Sequence, residues 1–557
     1  MAPSPQWLAQ RQALHTRFLD VVGLHDASRL AYLHGPETTW DDDGLVRLWT
    51  DALAAHPPVE HGSNHMYVHV PFCKSLCTFC NYERLRPSRA SLMEDYLQRV
   101  LASMDALAPA LEPLTFHALY IGGGTPSVLP AKMLDTLLWA VRNKFRWHVH
   151  AARHFEFDPA VLGPTRLEVL QKHEFNYLSF GIQTLDGAVN EAHDRGLQDL
   201  ALIGKRFESL QAAGLDAPAC DFLLGLAGTT PDQIIGELRT VMERFRPRSI
   251  DVFLITPTRE YVDRHFGGSY EAFWAHRLPF EQQCGPAIEQ LAEDLDYIAS
   301  GGGGHLFHLG RRDLALPDES VTGRKFGYSQ QLKPWTGPLN LVAFGPSAKS
   351  RVFGHAYYES HDASDSDDDP VHVEYRGFLG GLRGEAMGFL VHHLRDHDRL
   401  DRAEFRRLFS VDVTELFADV IAAWEHLGLA RVEPVHVVFP PADSPERART
   451  LMWLANPAGL EHQIERRLGF DLSEQALTTA LAALPAGEVA ATGHARLSFV
   501  GPSGTAVPAR VAPTAEGQPP RIALLAAPPP GDVDALRKNV ARCRKLLTPR
   551  RNRLAVV

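Results

Sequence analysis

Residues 67–85 read YVHVPFCKSLCTFCNYERL, a short run of aromatic and β-branched residues that breaks at Pro71 and delivers three cysteines, Cys73, Cys77 and Cys80. Their spacing is C-x3-C-x2-C, directly after a predicted strand. The 557-residue chain holds only six cysteines. A disulfide framework would spread an even set along a short secreted chain, so three thiols within eight residues read instead as ligands for iron or zinc. Tetrahedral zinc would require a fourth donor, from Cys220, Cys284 or one of 27 histidines. A cubane iron–sulfur cluster takes four cysteines, so a loop supplying three leaves one iron open to a substrate or cofactor.

Outward from this loop, apolar runs recur every few tens of residues: MYVHV (66–70), HALYIG (117–122), HFEFD (154–158), YLSFGI (177–182), DFLLGL (221–226), DVFLIT (251–256) and HLFHLG (305–310). Segments with helical periodicity lie between them, among them SLMEDYLQRVLASMDAL, AKMLDTLLWAVRNKF and TPDQIIGELRTVMERF. Strand–helix alternation predicts βα units and a parallel sheet. Six or seven such units point to a complete or partial βα barrel of the TIM type rather than a flat doubly wound sheet, two architectures that periodicity alone does not separate, with near-continuously apolar strands covered on both faces. In such a barrel the carboxyl ends of the strands face the active site. Gly122-Gly123-Gly124-Thr125-Pro126, Glu156, Asp158, Gln183 and Asp221 all fall at or near strand ends. Glycines there let backbone approach a ligand, and polar residues beside apolar strands are hard to place in a core. An open cluster iron suits S-adenosylmethionine, whose amine and carboxylate chelate, and Phe79 between the second and third cysteines suits a shielded cluster.

Around the barrel, residues 1–60 predict a helical arm, 61–355 the barrel, 371–440 a helical, winged-helix-like domain, and 441–557 an extra α+β region with strand-like LSFVG and RIALLA. The acidic stretch HDASDSDDDP (361–370) reads as a solvated linker, and Gly301–Gly304 as a turn. Cys220 and Cys284 fall on apolar elements and are expected to be buried, while Cys543 sits in a basic terminal segment. His69, His193 and His308 near strand ends could donate protons or serve structure. Hydrophobic residues are 45% and charged residues 22% of the chain, which excludes wholesale disorder. A net charge of −11 argues against nucleic acid and membranes as obligatory partners. The N-terminus lacks the order of a secretory signal, and a cytoplasmic protein is expected.

The trio in YVHVPFC, together with GGGTPS, FEFDP, LSFGIQTLD, HDRGL, DFLLGL and FGPSAKS in this order, resembles radical S-adenosylmethionine (SAM) proteins. More narrowly it resembles the HemN-like branch of oxygen-independent coproporphyrinogen oxidases, over about residues 60–440. The resemblance implies a partial (βα)6-type barrel, a 4Fe–4S cluster on Cys73, Cys77 and Cys80, and SAM. It further implies that Gly123, Gly124 and Thr125 meet the methionine amine, Arg195 its carboxylate, and Glu156, Gln183 and Asp221 the amino-acid or ribose groups, with Tyr67 close to cluster and cofactor. An electron donor such as flavodoxin or ferredoxin and a small-molecule substrate would be the partners. Asn81 and Tyr82 stand where coproporphyrinogen oxidases carry a further cysteine. That departure turns the expectation toward methyltransferases and cyclopropane-forming enzymes of the same branch, which would bind two SAM molecules per chain and transfer a methyl or methylene carbon to an unsaturated substrate. The alternatives are a tetrapyrrole oxidase or haem-modifying enzyme, and a haem-binding chaperone of the HemW type.

Overall fold

The apolar runs become strands with two different faces. The computed structural model describes residues 4–21, 37–55, 63–87, 91–196, 198–215, 217–256, 258–300, 306–314, 339–362, 373–441, 444–461, 495–500, 506–512 and 521–524. The chain divides into two units, Thr38–Gly377 and Met1–Glu37 with Phe378–Val557.

In the larger unit one sheet joins Thr38–Trp40 (β1), Ser63–Val70 (β2), Thr115–Gly123 (β3), Arg146–Glu156 (β4), Tyr177–Gln183 (β5), Ala219–Leu224 (β6), Ser249–Leu254 (β7), Tyr297–Ser300 (β8), Leu306–Arg311 (β9), Leu339–Phe344 (β10), Lys349–Val352 (β11), Ala356–Asp362 (β12) and Val373–Leu379 (β13). The order is β1-β13-β12-β11-β10-β2-β3-β4-β5-β6-β7-β9-β8. Strands β2 to β7 run parallel in sequence order, the six units of a partial TIM-type barrel. The run HLFHLG, counted with the parallel units in the sequence, instead pairs antiparallel with β7 and β8. Only five residues separate β8 from β9, too few for a parallel crossover, which needs a dozen or more, so the two strands pair as a hairpin. On the other side, β10 lies parallel to β2, placing Ala343 against Tyr67 and Phe344 against Val68.

The connecting helices are α1 (Pro5–Val21), α2 (Asp42–Ala55), α3 (Ser91–Leu111), α4 (Ala131–Lys144), α5 (Pro164–Lys172), α6 (Gly187–Ala192), α7 (Leu200–Ala212), α8 (Pro231–Phe245), α9 (Arg259–Phe266) and α10 (Tyr270–Asp294), of which all but α1 belong to the larger unit. Helix α8 shows why they form. Thr230 caps its start by accepting the Gln233 N–H, Pro231 occupies the first turn, and Arg246 leaves it in the left-handed region at φ 46°. Ile234, Leu238, Val241 and Met242 repeat on one face and are buried. They pack in one core with the outward faces of the strands, including Met66, Val68, Ile121, Phe155, Phe180, Phe222 and Val252. Full burial of each such side chain contributes roughly 1.5–3 kcal/mol.

The inward faces are polar, contrary to the expectation of continuously apolar strands. Two rows of register partners cross the barrel: Tyr67, Tyr120, His154 and Tyr177 on β2 to β5, and Gly181, Asp221, Asp251 and His308 on β5, β6, β7 and β9. An alternation of period two, hidden inside runs that look apolar, separates a core face from a cavity face.

In the smaller unit, Arg402–Phe409, Val413–Leu416 and Ala418–His426 are short helices, and Arg399–Asp401, His436–Val438 and Arg431–Val432 form a three-stranded antiparallel sheet. Within it α1 meets the helix Pro445–Leu454, where Arg11 Nη2 donates to the Trp453 carbonyl at 3.2 Å and the Trp7 and Trp453 rings lie 5.6 Å apart. Ala495–Val500, Ala506–Ala512 and Arg521–Leu524 form another antiparallel sheet. Gly301–Gly304, the aspartate-rich run 365–369 and Cys543 lie outside the described residues. No described helix is long and apolar enough to cross a membrane.

Candidate active site

The cysteine loop is closed at its neck by backbone. Cys73 N–H donates to the Leu85 carbonyl at 3.0 Å, and Leu85 N–H donates to that of Pro71 at 2.8 Å. Inside the loop Cys80 N–H reaches the Cys77 carbonyl at 3.2 Å, which Arg84 Nη2 also reaches at 2.8 Å. The glycines after β3 lie tightly against this neck. Gly124 N–H donates to the Val70 carbonyl at 2.8 Å and Thr125 N–H to that of Phe72 at 2.7 Å. A Cβ on Gly124 would stand 2.8 Å from the Phe72 carbonyl oxygen and 2.9 Å from Cys73 Sγ. Gly123 has φ 114°, and a Cβ there would meet the His69 ring at 2.8 Å. Only glycine fits both positions.

A cavity of about 770 Å³ opens beside this loop. The residues that the resemblance assigns to cluster and cofactor all line it: Cys73, Cys77, Cys80, Tyr67, Gly123, Gly124, Thr125, Glu156, Gln183, Arg195 and Asp221, along with Asp158 and Phe79. Thr125 Oγ1 points to Cys73 Sγ at 3.7 Å, and Arg195 Nη1 to Cys77 Sγ at 3.6 Å. Arg195 also donates to the Gly181 carbonyl and lies over the Phe79 ring at 6.0 Å. Glu156 accepts from the Tyr120 hydroxyl and, at 3.1 Å, from Gly123 N–H. Burial nonetheless holds its carboxyl up at about 6. Burial, with Asp251 and Glu156 nearby, pushes the Asp221 carboxyl well above the usual range. Gln183 sits in the left-handed region at φ 67° where the β5–β6 register slips. Asp158 is partly spent locally, accepting the Ala160 N–H at 2.7 Å.

The three candidate proton donors part company. His69 is buried, with Nε2–H directed to the Glu83 carbonyl at 2.9 Å and Nδ1 taking the Tyr67 hydroxyl at 3.0 Å. Burial lowers its pKa to about 4, so the ring is neutral and structural. His193 gives Nδ1–H to the Val189 carbonyl at 2.8 Å. His308 alone of the three lines the cavity, bonded to Asp251 at 2.8 Å. His154, Tyr177, Asp251 and Arg248 also line the cavity and were missed, although period-two polar residues in RWHVHAARHFE and SIDVFL mark His154 and Asp251.

The donor set fits an iron–sulfur cluster that leaves one corner open. The three thiols come from one loop onto one cavity, with Cys73 buried and the other two half-buried. Among the described residues no three His, Cys, Asp or Glu side chains gather around a single-ion position. The candidate fourth zinc ligands Cys220 and Cys284 are fully buried in the hydrophobic core behind the sheet. The glycine cradle, with Glu156 and Arg195 on the same cavity, offers an acceptor and a cation to a zwitterionic ligand beside the thiols.

Residues 67–241 match the family described as the Radical SAM superfamily. The oxygen-independent coproporphyrinogen III oxidase of Escherichia coli is 27% identical over 306 residues, 53% of this chain and 62% of that protein. Its counterpart in Pseudomonas aeruginosa is 26% identical over 412 residues, 70% of this chain and 81% of that one. The haem chaperone HemW of Lactococcus lactis is 25% identical over 243 residues, 43% and 60% of the two chains. The solved coproporphyrinogen III oxidase (HemN) of E. coli superposes with a TM-score of 0.56 at 20% identity, covering 75% of this chain and 94% of that one. The chain thus carries a radical SAM domain in a HemN-like fold, and its alignment spans about three-fifths of the E. coli relative's length.

Proposed function

We propose that the chain is a radical SAM enzyme whose cavity takes a tetrapyrrole or a molecule of similar size, the coarse reading of a HemN-type radical SAM protein extended to a substrate. One observation carries it. The space beside the cysteine loop continues across the barrel to His150, Arg248 and Arg311, which also line it. Its volume is at the upper end of the roughly 300–1,000 Å³ usual for small-molecule pockets, enough for SAM and a second ligand together. Arg248 and the histidines at the far wall suit a substrate carrying carboxylates, beside an Arg311 that already holds Asp313.

Cys73, Cys77 and Cys80 would hold the 4Fe–4S cluster, which when bound supplies the electron that splits the sulfonium bond of SAM. The chain's own residues bind and orient. Gly123, Gly124 and Thr125 present a close backbone surface to the cofactor's amine, Glu156 accepts from it, and Arg195 pairs with its carboxylate. Phe79 and the inward Tyr67 and Tyr120 keep water from the reacting carbon. The names of the relatives favour a tetrapyrrole substrate. Methyl or methylene transfer, preferred in the sequence reading, has the cavity's room for a second SAM in its favour; the haem-chaperone reading rests on the HemW likeness.

Anaerobic reconstitution with iron and sulfide, followed by SAM, a reductant and coproporphyrinogen or haem, tests all three. A brown chromophore and 5′-deoxyadenosine whose yield rises with the tetrapyrrole are expected. S-adenosylhomocysteine formed in step with 5′-deoxyadenosine would move the assignment to methyl transfer, and stoichiometric haem uptake without SAM cleavage to the chaperone. Stoichiometric zinc and no chromophore would overturn the cluster itself.

A further inference from the structure

Two of the three cysteines are held by a different part of the chain from the third. Cys73 is fixed at the loop's neck through Leu85. Thr78, between Cys77 and Cys80, is buried and tied to two distant segments. Its N–H donates to the His193 carbonyl at 3.1 Å, and its hydroxyl bonds His265 Nε2 at 2.9 Å. His265 belongs to α9 and lies flat on His193, with ring centroids 4.3 Å apart and planes at 15°. His193 stacks in turn on Tyr261 at 5.7 Å and abuts Phe79 at 6.0 Å. Tyr261 is locked by accepting the Ala227 N–H at 2.8 Å. An Arg264–Asp194 ion pair at 2.7 Å ties α9 to the turn that also carries Arg195, the cation beside Cys77.

We propose that α9 clamps the cysteine loop: His265, stacked on His193, fixes Thr78 and thereby sets the spacing of Cys77 and Cys80, which makes His265 a positioning residue for the cluster. The inference rests on the reading that these cysteines hold a cluster. A side chain at the centre of C-x2-C that is bonded through both backbone and hydroxyl leaves the two thiols little freedom of their own. None of Thr78, His193 and His265 lines the cavity, so the clamp acts on ligand geometry without entering it. Orientation of metal ligands by such outer partners is commonly worth 10–100-fold in metal affinity.

The test compares the full-length wild type with His265→Ala, His265→Gln, Thr78→Val and Thr78→Ser. Gln and Ser keep a group able to bond at the same place; Ala and Val do not. In the metal-free chain, alkylation of Cys77 and Cys80, mapped by mass spectrometry, should quicken about tenfold in the Ala and Val variants, with Cys73 unchanged as an internal control. After reconstitution the same two variants should lose iron faster on exposure to air and shift the midpoint potential, and Gln and Ser should restore both. Equal alkylation of all three cysteines in every variant, with unchanged iron retention, overturns the clamp. A wild type that takes up no iron and sulfide overturns the cluster reading instead. Should His265→Ala fail to fold, the nearly isosteric Thr78→Val decides.

Discussion

The two walls of the cavity are made in opposite ways. On the β2–β3 side, backbone meets backbone: Gly124 and Thr125 bond to Val70 and Phe72, Cys73 bonds to Leu85, and an added methyl group finds no room. On the β6–β7–β9 side, the surface is made of polar, ionisable side chains, Asp221, Asp251 and His308 in register, and Gly310 there has space. A Cβ on Gly310 would find its nearest neighbour, His308 Nε2, at an ordinary 3.5 Å. A wall fixed by main chain admits one ligand geometry, whereas a wall of side chains can be rewritten by substitution without moving the fold. The first suits a cofactor and the second a substrate.

The largest effect that could break this contrast comes from exchanging the glycines. Gly124→Ala drives a methyl group into the Pro71–Phe72 backbone and a thiol. Overpacking of this kind costs about 1–3 kcal/mol, so iron retained after reconstitution should fall about tenfold or more. Gly310→Ala should stay within about 0.5 kcal/mol of the wild type in urea unfolding and retain full iron. Equal losses in the two variants would erase the distinction.

An effect of similar size probes the rigid wall alone. The folded chain keeps His69 neutral down to about pH 4, whereas the unfolded chain binds that proton below about 6.5. The unfolded state then holds more protons in that window, so stability is complete above about pH 6.5 and lost as pH falls toward 4, by on the order of 3 kcal/mol. His69→Gln should flatten the urea midpoint of the metal-free chain between pH 4 and 6.5; an unchanged slope would show that the ring is not held this way.

The smallest effect concerns Glu156, which touches Gly123 and acts electrostatically on Asp221. Its folded pKa of about 6 is raised, so the folded state holds the extra proton and stability falls as pH rises from about 4.5 to 6, by about 2 kcal/mol. Glu156→Gln should therefore exceed the metal-free wild type in stability at pH 7 and match it near pH 4.5. An advantage independent of pH would show that the carboxylate is not strained by burial.

Much of the rigid wall was legible in the sequence, because its parts are local. Three cysteines on one loop and three glycines after one strand declare themselves by spacing. The side-chain wall was harder to read. Asp251 and His308 meet only because the HLFHLG run turns back antiparallel against β7, and no local pattern separates that hairpin from one more parallel unit. The polar alternation of β4 was likewise present in RWHVHAARHFE, but its apolar partners drew it into a single hydrophobic run. Thr78 and His265, 187 residues apart, carry no sequence signal of their meeting.

The position of β10 has a consequence for how the molecule comes to be made. β2, which leads into the thiols, has β3 on one side and β10 on the other, and Gly345, just past β10, abuts the His69 carbonyl. A ribosome delivers the chain from its amino terminus. The first strand of the barrel therefore keeps a row of unsatisfied amides and carbonyls until Phe344 has emerged. Any metallation of the thiols in their finished setting would then come late in biosynthesis, and a chain truncated before that point would leave the cysteine loop beside an open, adhesive edge.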